Sequence, residues 1–191
     1  MGGYINWHMR KRKAKVFADI PPIVVELGAG VGANVRYLPA GARLIAIEPN
    51  PYMHTRLRRA ARRRGLDLEI RSVVGEQIDL PDASVEAVIS SLVLCTVRDP
   101  AAVLAEIRRI LLPGGRFSFA EHVAAKQHTP TRWSQRILRR PWAWAFEGCS
   151  CERDLATVIE SAGFTSVDIF PYRIRSPFLP FNTHIAGTAI A

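Results

Sequence analysis

After an apolar run, Ile23-Val24-Val25-Glu26-Leu27, the chain sets three glycines at alternate positions in Gly28-Ala29-Gly30-Val31-Gly32. The run reads as a short strand buried on both faces, and the glycines as a tight turn at its end. With no side chains in the way, backbone N–H groups at such a turn can approach a nucleotide-like ligand closely, best where a helix starts directly afterwards. A helix start after Gly32 is therefore expected. A strand–turn–helix unit of this kind belongs to open α/β sheets, which bind ligands at the carboxyl ends of their strands.

The rest of the chain repeats the alternation. Residues 43–48 read as a second strand and 51–64 as a helix, with Pro51 suited to the first turn and Gly65 to a C-terminal stop. Residues 68–74 and 85–90 are two more β-rich runs. Asp99 can cap a helix with Pro100 at its first position, and Val103, Leu104, Ile107, Ile110 and Leu111 share one helical face. Pro113-Gly114-Gly115 should turn the chain into a fifth strand over 116–121. Residues 126–149 break the rhythm with Trp133, Pro141, Trp142, Trp144 and Phe146, an aromatic-rich insertion whose helix should kink or stop near Pro141. A substrate lid and a plain packing element are both open readings of it. Leu155, Val158, Ile159 and Ala162 mark another helix, ended by Gly163. Residues 165–170 and 184–190 have no helix between them and should pair antiparallel. The expected fold is α/β: a Rossmann-like, mostly parallel seven-stranded sheet with helices on both faces and a C-terminal antiparallel β-hairpin.

A chain of 191 residues with 48% apolar content can bury one core well and has no room for two ordinary domains. Residues 21–191 are read as a single domain. In residues 1–20, Tyr4, Trp7, Met9 and Phe17 accompany Arg10-Lys11-Arg12-Lys13-Ala14-Lys15. This basic segment suits a short helix that covers a pocket as a lid or touches an anionic membrane; a partly ordered, solvated terminus is the other reading. The net charge of +9 would suit a polyanion, but Arg56, Arg58, Arg59, Arg62, Arg63 and Arg64 fall on one helix with no stacking aromatics among them. Nucleic acid is therefore not the expected partner. The three cysteines, Cys95, Cys149 and Cys151, lack the spacing of a zinc site or a disulfide framework. No metal is expected, and a reduced, cytoplasmic setting follows. No run approaches the roughly 18 apolar residues of a spanning helix, and no apolar stretch follows the N-terminal charges, so membrane spanning and secretion are not expected.

The glycine loop alone leaves its ligand open. Gly28-x-Gly30-x-x-Ala33 also satisfies the dinucleotide fingerprint, and Glu48, 22 residues beyond Glu26, stands where a ribose-binding acid belongs in either case. Glu26 tilts the balance. It precedes the first glycine by two residues, where a dinucleotide fold usually carries an apolar residue, and a carboxylate there can help hold a cationic methionine group. A terminal hairpin in place of further βα units also disfavours dehydrogenases. With Glu26-x-Gly28-x-Gly30-x-Gly32, Ile47-Glu48-Pro49, Gly75-Glu76-Gln77-Ile78-Asp79-Leu80-Pro81, Leu112-Pro113-Gly114-Gly115 and the closing hairpin in this order, the chain over about residues 22–191 resembles the class I S-adenosylmethionine-dependent methyltransferases. Leu92-Val93-Leu94-Cys95-Thr96-Val97, Glu121-His122-Val123-Ala124-Ala125 and Phe146-Glu147-Gly148-Cys149 are most similar to the branch that includes membrane-associated alkyl-thiol methyltransferases. Relatives in that branch carry an N-terminal hydrophobic anchor, a segment not found among residues 1–20.

The resemblance implies S-adenosylmethionine as cofactor and S-adenosylhomocysteine as its product. It implies that Gly28, Ala29 and Gly30 pass beneath the methionine part and that Glu48 takes both ribose hydroxyls. A bidentate carboxylate is the simplest acceptor for a vicinal diol. Glu76, with Gly75 and the Gln77 backbone, is placed at the adenine amino group; Ser91 and Leu92 wall the methionine end; Pro49, Asn50 and Met53 flank the ribose or adenine. A solvated loop acid is the other reading of Glu76, and a core side chain that of Met53. Methyl transfer is an in-line displacement on a sulfonium carbon, so the protein chiefly aligns the nucleophile and excludes water. A thiol acceptor, with a pKa near about 8.5, would gain from a nearby imidazole. His122, expected just past the fifth strand, is the candidate catalytic group; a hydrogen-bonded structural histidine is its other reading. Trp133, Trp142 and His184 are candidate substrate-lining residues, and Cys95 reads as a small buried side chain. The favoured activity is methyl transfer to a small lipophilic nucleophile, a thiol first. N- or O-methylation of a small metabolite, NAD(P)-dependent oxidoreduction and a non-catalytic basic binding module remain alternatives.

Overall fold

The computed structural model describes residues 2–191, with side chains from Tyr4 onward. Helix α1 (Gly2–Val16) leads into β1 (Ile23–Leu27), β2 (Arg43–Ile47), α2 (Pro51–Arg64), β3 (Asp67–Arg71) and β4 (Val85–Ser91). There follow α3 (Pro100–Ile110), β5 (Leu111–His122), α4 (Pro130–Ala145), α5 (Leu155–Glu160), β6 (Ser166–Arg173) and β7 (Thr183–Ile190). The strands form one seven-stranded sheet in the order β3-β2-β1-β4-β5-β7-β6. The first five are parallel, and β7 runs antiparallel to both β5 and β6. This is the expected Rossmann-like sheet with its terminal strand pair reversed.

Consecutive burial explains why helices cover both faces. Ala87, Val88, Ile89 and Ser90 are all buried, and successive strand residues point to opposite faces. Helix ends follow local chemistry. The Asn50 side chain accepts from the Tyr52 N–H ahead of Pro51, and Gly65 closes α2 in the left-handed conformation at φ +69°. The Asp99 carboxylate accepts from the Ala101 and Ala102 N–H groups at the start of α3.

Several elements depart from the sequence reading, each for a physical reason. No α-helix follows the glycine loop; the chain makes only a three-residue 3-10 turn, Val35–Tyr37. Asn34 cannot cap a helix there, because its amide is bonded to Glu26 and Lys13, and Pro39 lies a few residues on. β3 stops at Arg71 instead of 74 because its neighbour β2 ends at Ile47; the Glu48 N–H makes a last bond to the Arg71 carbonyl. Pro113-Gly114-Gly115 does not turn the chain into β5. It forms an irregularity within β5, with Val85 opposite Leu111 and Ala87 opposite Arg116. α4 runs through Pro141 to Ala145. Pro141 and Ile137 are both exposed, so the carbonyl that loses its partner is on the solvated side.

Gly187 sits opposite both Phe119 in β5 and Ile169 in β6. A Cβ there would fall on the Asp168 carbonyl oxygen and 2.9 Å from Phe119 Cζ. Gly187→Ala should therefore lower the stability measured by urea unfolding by about 2–3 kcal/mol, as overpacking in a dense core does. An unchanged midpoint would show that Phe119 does not close over this position.

Candidate functional site

A cleft of about 270 Å³ opens where β1, β2 and β4 end. Gly28 and Gly30 line it from the glycine loop, and Glu48, Pro49, Asn50 and Met53 from the end of β2 and the start of α2. Gly75 and Glu76 follow β3, and Leu92, Val93, Thr96 and Val97 follow β4. Gly28 is at φ +53°, and a Cβ on it would lie 2.5 Å from a Val93 methyl. At Gly30 a Cβ would meet nothing nearer than the Gly28 carbonyl at 3.8 Å, so the loop leaves open space beside its backbone.

The Glu48 carboxylate is only 6% exposed and is held at both oxygens. Oε2 accepts from the Gly30 N–H at 2.8 Å and Oε1 from the Asn50 N–H at 2.9 Å. Each oxygen keeps a lone pair for a ligand hydroxyl, and the group cannot swing away. The glycine cradle, the fixed acid and the apolar walls fit the adenosyl group the sequence implied.

Glu26 lies beneath this loop, fully buried, and is not among the cleft's lining. Its Oε1 accepts from Asn34 Nδ2 at 2.7 Å, and the Asn34 Oδ1 accepts from Lys13 Nζ at 2.9 Å. A side chain on α1 is thereby tied to the glycine loop. Glu26 Oε2 is buried with no partner among the described residues. Burial pushes the Glu26 carboxyl up to about 7 against the bond from Asn34, and pulls the Lys13 ammonium down to about 8.

Other cofactor candidates are distributed unevenly. Glu76 lines the cleft, but its Oε1 accepts from the Arg98 and Asp99 N–H groups at 3.0 and 3.2 Å, so the acid also braces the entry to α3. Met53 borders the cleft and is not a core residue. Ala29, Gln77 and Ser91 are not part of the lining.

A second cavity of about 270 Å³ shares Leu92, Thr96 and Glu147 with the first. Its walls are mainly apolar: Ile5 from α1, Trp142 and Ala145 from α4, then Phe146 and Phe181, with Cys95 and Cys149. Leu92 and Glu147, at the junction of the two cavities, have φ of +62° and +51°, a conformation that side-chain-bearing residues rarely adopt and that gathers at functional sites. Glu121, given no separate role in the sequence reading, holds this junction in place. Fully buried, it accepts from Ser90 Oγ at 2.7 Å and from the Val93 N–H at 3.2 Å, and burial pushes its carboxyl up to about 7.

His122 is the last residue of β5 rather than just past it, and it does not line the cavity. It stands behind it, with Nε2 2.7 Å from the Pro180 carbonyl and Nδ1 3.4 Å from Cys149 Sγ. His184 pairs with it across the sheet, fully buried against Tyr172 and Phe181, and burial drives its imidazole well below the usual range. Neither histidine faces the cavity directly. Trp142 does line it, stacked on Phe146 with ring centres 4.1 Å apart. Trp133 is 69% exposed on the outer side of α4 and lies outside the cavity, because helical phase separates it from Trp142. Sequence reading had not assigned Ile5, Thr96, Glu147, Cys149 or Phe181 to a site. They come from distant segments and carry no shared local pattern.

Residues 25–119 match the methyltransferase domain family. The chain is 34% identical to thiol S-methyltransferase TMT1B of Rattus norvegicus, over 95% of this chain and 79% of that protein. It is 33% identical to thiol S-methyltransferase TMT1A of Homo sapiens, over 97% and 80%. In fold it is similar to a SAM-dependent methyltransferase, possible histamine N-methyltransferase, from Thermotoga maritima, with TM-score 0.68 and 17% identity over 98% of this chain and 91% of that one. Geranyl diphosphate methyltransferase in complex with SAM overlays with TM-score 0.70 and 13% identity, over 97% and 84%. The chain belongs to the class I S-adenosylmethionine-dependent methyltransferases. Within that class, its near full-length similarity is to proteins named as thiol S-methyltransferases. Family membership sets aside the oxidoreductase and the non-catalytic binding module.

The buried ion network predicts a signed pH dependence. Glu26, raised from 4.5 to about 7, contributes stability that is full below pH 4.5 and lost as pH rises through 7. Lys13, lowered from 10.5 to about 8, contributes stability that is present above pH 10.5 and lost as pH falls through 8. Urea titrations of Glu26→Gln should show a smaller loss of stability between pH 4.5 and 7 than the parent, and those of Lys13→Met a smaller gain between 8 and 10.5. Parallel profiles for parent and variants would contradict the burial of these charges.

Proposed function

We propose that this methyltransferase acts on a small lipophilic thiol seated in the cavity between α1, α4 and Phe181. The observation that carries the reading is that cavity itself: a mainly apolar space joined to the cofactor cleft through Leu92, Thr96 and Glu147. The names of the relatives support the thiol. When bound, S-adenosylmethionine supplies a methyl group already activated by its sulfonium centre.

The chain's own residues then bind, orient and exclude water. Gly28 and Gly30 offer a backbone surface without side chains, and the held carboxylate of Glu48 accepts the ribose hydroxyls. Pro49, Asn50, Met53, Gly75 and Glu76 border the adenosyl part, and buried Glu26 steadies the glycine loop from below through Asn34. Trp142, Phe146, Phe181 and Ile5 hold an apolar acceptor, where an ordered nucleophile gains most from alignment.

The assay is direct. S-adenosylhomocysteine should raise the melting temperature while NADH leaves it unchanged. Glu48→Ala should weaken that binding by at least about tenfold, in line with the roughly 1.5–3 kcal/mol of hydrogen bonds to a charged group. Unchanged affinity would remove the ribose from Glu48. With labelled cofactor and a panel of thiols, amines and phenols, label should pass to alkyl thiols; transfer to amines or phenols alone would overturn the acceptor class.

Peripheral contact with an anionic membrane from the cytoplasmic side is the finer part of the proposal. Trp7 and Tyr4 are exposed on basic α1, as are Trp133, Ile137 and Trp144 beside Arg136, Arg139 and Arg140 on α4. Both helices also line the acceptor cavity. Exposed aromatic and basic side chains on each helix favour anionic lipid headgroups. The protein should co-sediment with vesicles containing phosphatidylserine, more weakly as salt rises, and not with neutral ones; equal binding to both would show that charge does not direct the contact.

A further inference from the structure

The acceptor cavity contains two thiols of its own. Cys95 and Cys149 both line it, with their sulfurs 3.5 Å apart, and the Ser150 N–H donates to the Cys95 carbonyl at 2.7 Å, which fixes the segment that carries Cys149. Behind Cys149 stands His122. The Pro180 carbonyl can only accept, so His122 Nε2 carries the hydrogen of their 2.7 Å bond. Nδ1, 3.4 Å from Cys149 Sγ, is then the ring atom that can share a proton with that sulfur. Gln135 Nε2 donates to the same carbonyl at 3.0 Å and keeps the ring's partner in place.

Other polar groups on the cavity wall are not placed for proton transfer. The Thr96 hydroxyl donates to the Val93 carbonyl at 2.7 Å, and Glu147 is exposed at the rim. His184 is buried and outside the lining. Cys149 is faced by Cys95 from the turn after β4, by His122 from β5 and by Trp142 from α4, with Glu147 and Cys151 on its own segment. His122 is faced in turn by His184, and Glu121 precedes it in β5.

We propose that Cys149, positioned by His122, is the catalytic group that takes the proton from the acceptor thiol. The proposal rests on the thiol reading above. Hydrogen bonding from Cys95 and His122 holds the Cys149 thiol down against the effect of burial, while the same contact with Cys149, together with burial, pushes the Cys95 thiol well up. Cys149 Sγ, in contact with both Cys95 Sγ and His122 Nδ1, is thus the sulfur through which a proton can pass. In the transfer, the acceptor sulfur bonds to the methyl carbon as its S–H bond breaks, and its proton passes to Cys149 Sγ, whose own proton has moved to His122 Nδ1. The electron pair of the methyl–sulfonium bond remains on the departing thioether sulfur. Shared with His122 Nδ1, the proton leaves to solvent with the products and Cys149 is restored. No external oxidant or reductant is needed.

One test requires no turnover. In the cofactor-free protein, the rate of Cys149 alkylation by iodoacetamide, followed by peptide mass, should rise with pH at a midpoint below the ordinary thiol value of about 8.5. His122→Gln should move that midpoint up. A wild-type midpoint at or above the ordinary value, or one that His122→Gln leaves in place, overturns the pairing. In turnover, Cys149→Ser should lower kcat for alkyl thiols by about 100-fold, within the usual range for acid–base catalysis, and by only a few-fold for acidic aryl thiols already ionised at the assay pH. Equal losses for both classes would make Cys149 a packing residue only. The wild-type protein offers an independent reading if that variant does not fold. Across alkyl thiols of rising pKa, rates should stay level with an internal proton acceptor; without one they fall as the thiolate fraction falls. Absence of any thiol turnover alongside normal S-adenosylhomocysteine binding would overturn the acceptor class itself, and the relay with it.

Discussion

Everything at the site depends on the register of the parallel strands at the centre of the sheet. Leu27 pairs with Ile47 and Ser90, Ile47 with Arg71, and Ser91 with Ala120, so β1, β2, β3 and β4 end along one edge. The segments that leave those ends have to meet there. A slip of one residue would carry every side chain to the opposite face, including the carboxylates of Glu26 in β1 and Glu121 in β5. The continuous apolar burial of β1, β2 and β4 makes such a slip costly, and the register of the core therefore also sets the register of the acids.

Those acids are unusual cargo for a sheet interior. Glu26 and Glu121 are both fully buried, Glu48 nearly so, and burial alone disfavours the charged form of the first two. Lys13 lies close enough to feel both Glu26 and Glu121, and Asn34 bridges it to Glu26. The result is a polar seam that connects α1, the glycine loop and the turn after β4. A buried network is useful when each member is satisfied, and here one oxygen of Glu26 has no partner among the described residues. The mainly apolar cavity alongside adjoins the cleft through Leu92, Thr96 and Glu147. The two adjoining spaces therefore differ in character, with strained Leu92 and Glu147 at their junction.

Much of this was legible locally. The glycine loop, Glu48 and the Asn50 cap lie within one strand–loop–strand–helix stretch, where short-range hydrogen bonds decide geometry. α3 was legible for the same reason, with Asp99, Pro100 and a single apolar face. Where local patterns misled, longer-range contacts had taken over. Asn34 gave its amide to Glu26 and Lys13 instead of capping a helix, and Pro113-Gly114-Gly115 was absorbed by pairing with β4. Trp133 and Trp142 are equally aromatic in sequence; only the rotation of α4 puts one outside and the other against the cavity.

By itself the sequence determined the alternating architecture and the glycine turn that lines the cleft, since strand burial, helix caps and glycine turns are properties of neighbouring residues. It also ordered five motifs at intervals that distinguish a methyltransferase from a dinucleotide enzyme. Tertiary structure decided the rest: that Glu26 lies under the loop instead of in the cleft, that α1 is tied to it through Lys13, and that Ile5, Cys95, Trp142, Cys149 and Phe181 enclose one space. Those residues share no spacing or periodicity. They meet because the sheet brings α1, α4 and the ends of β4 and β5 together, and no pattern along the chain records a distance across it.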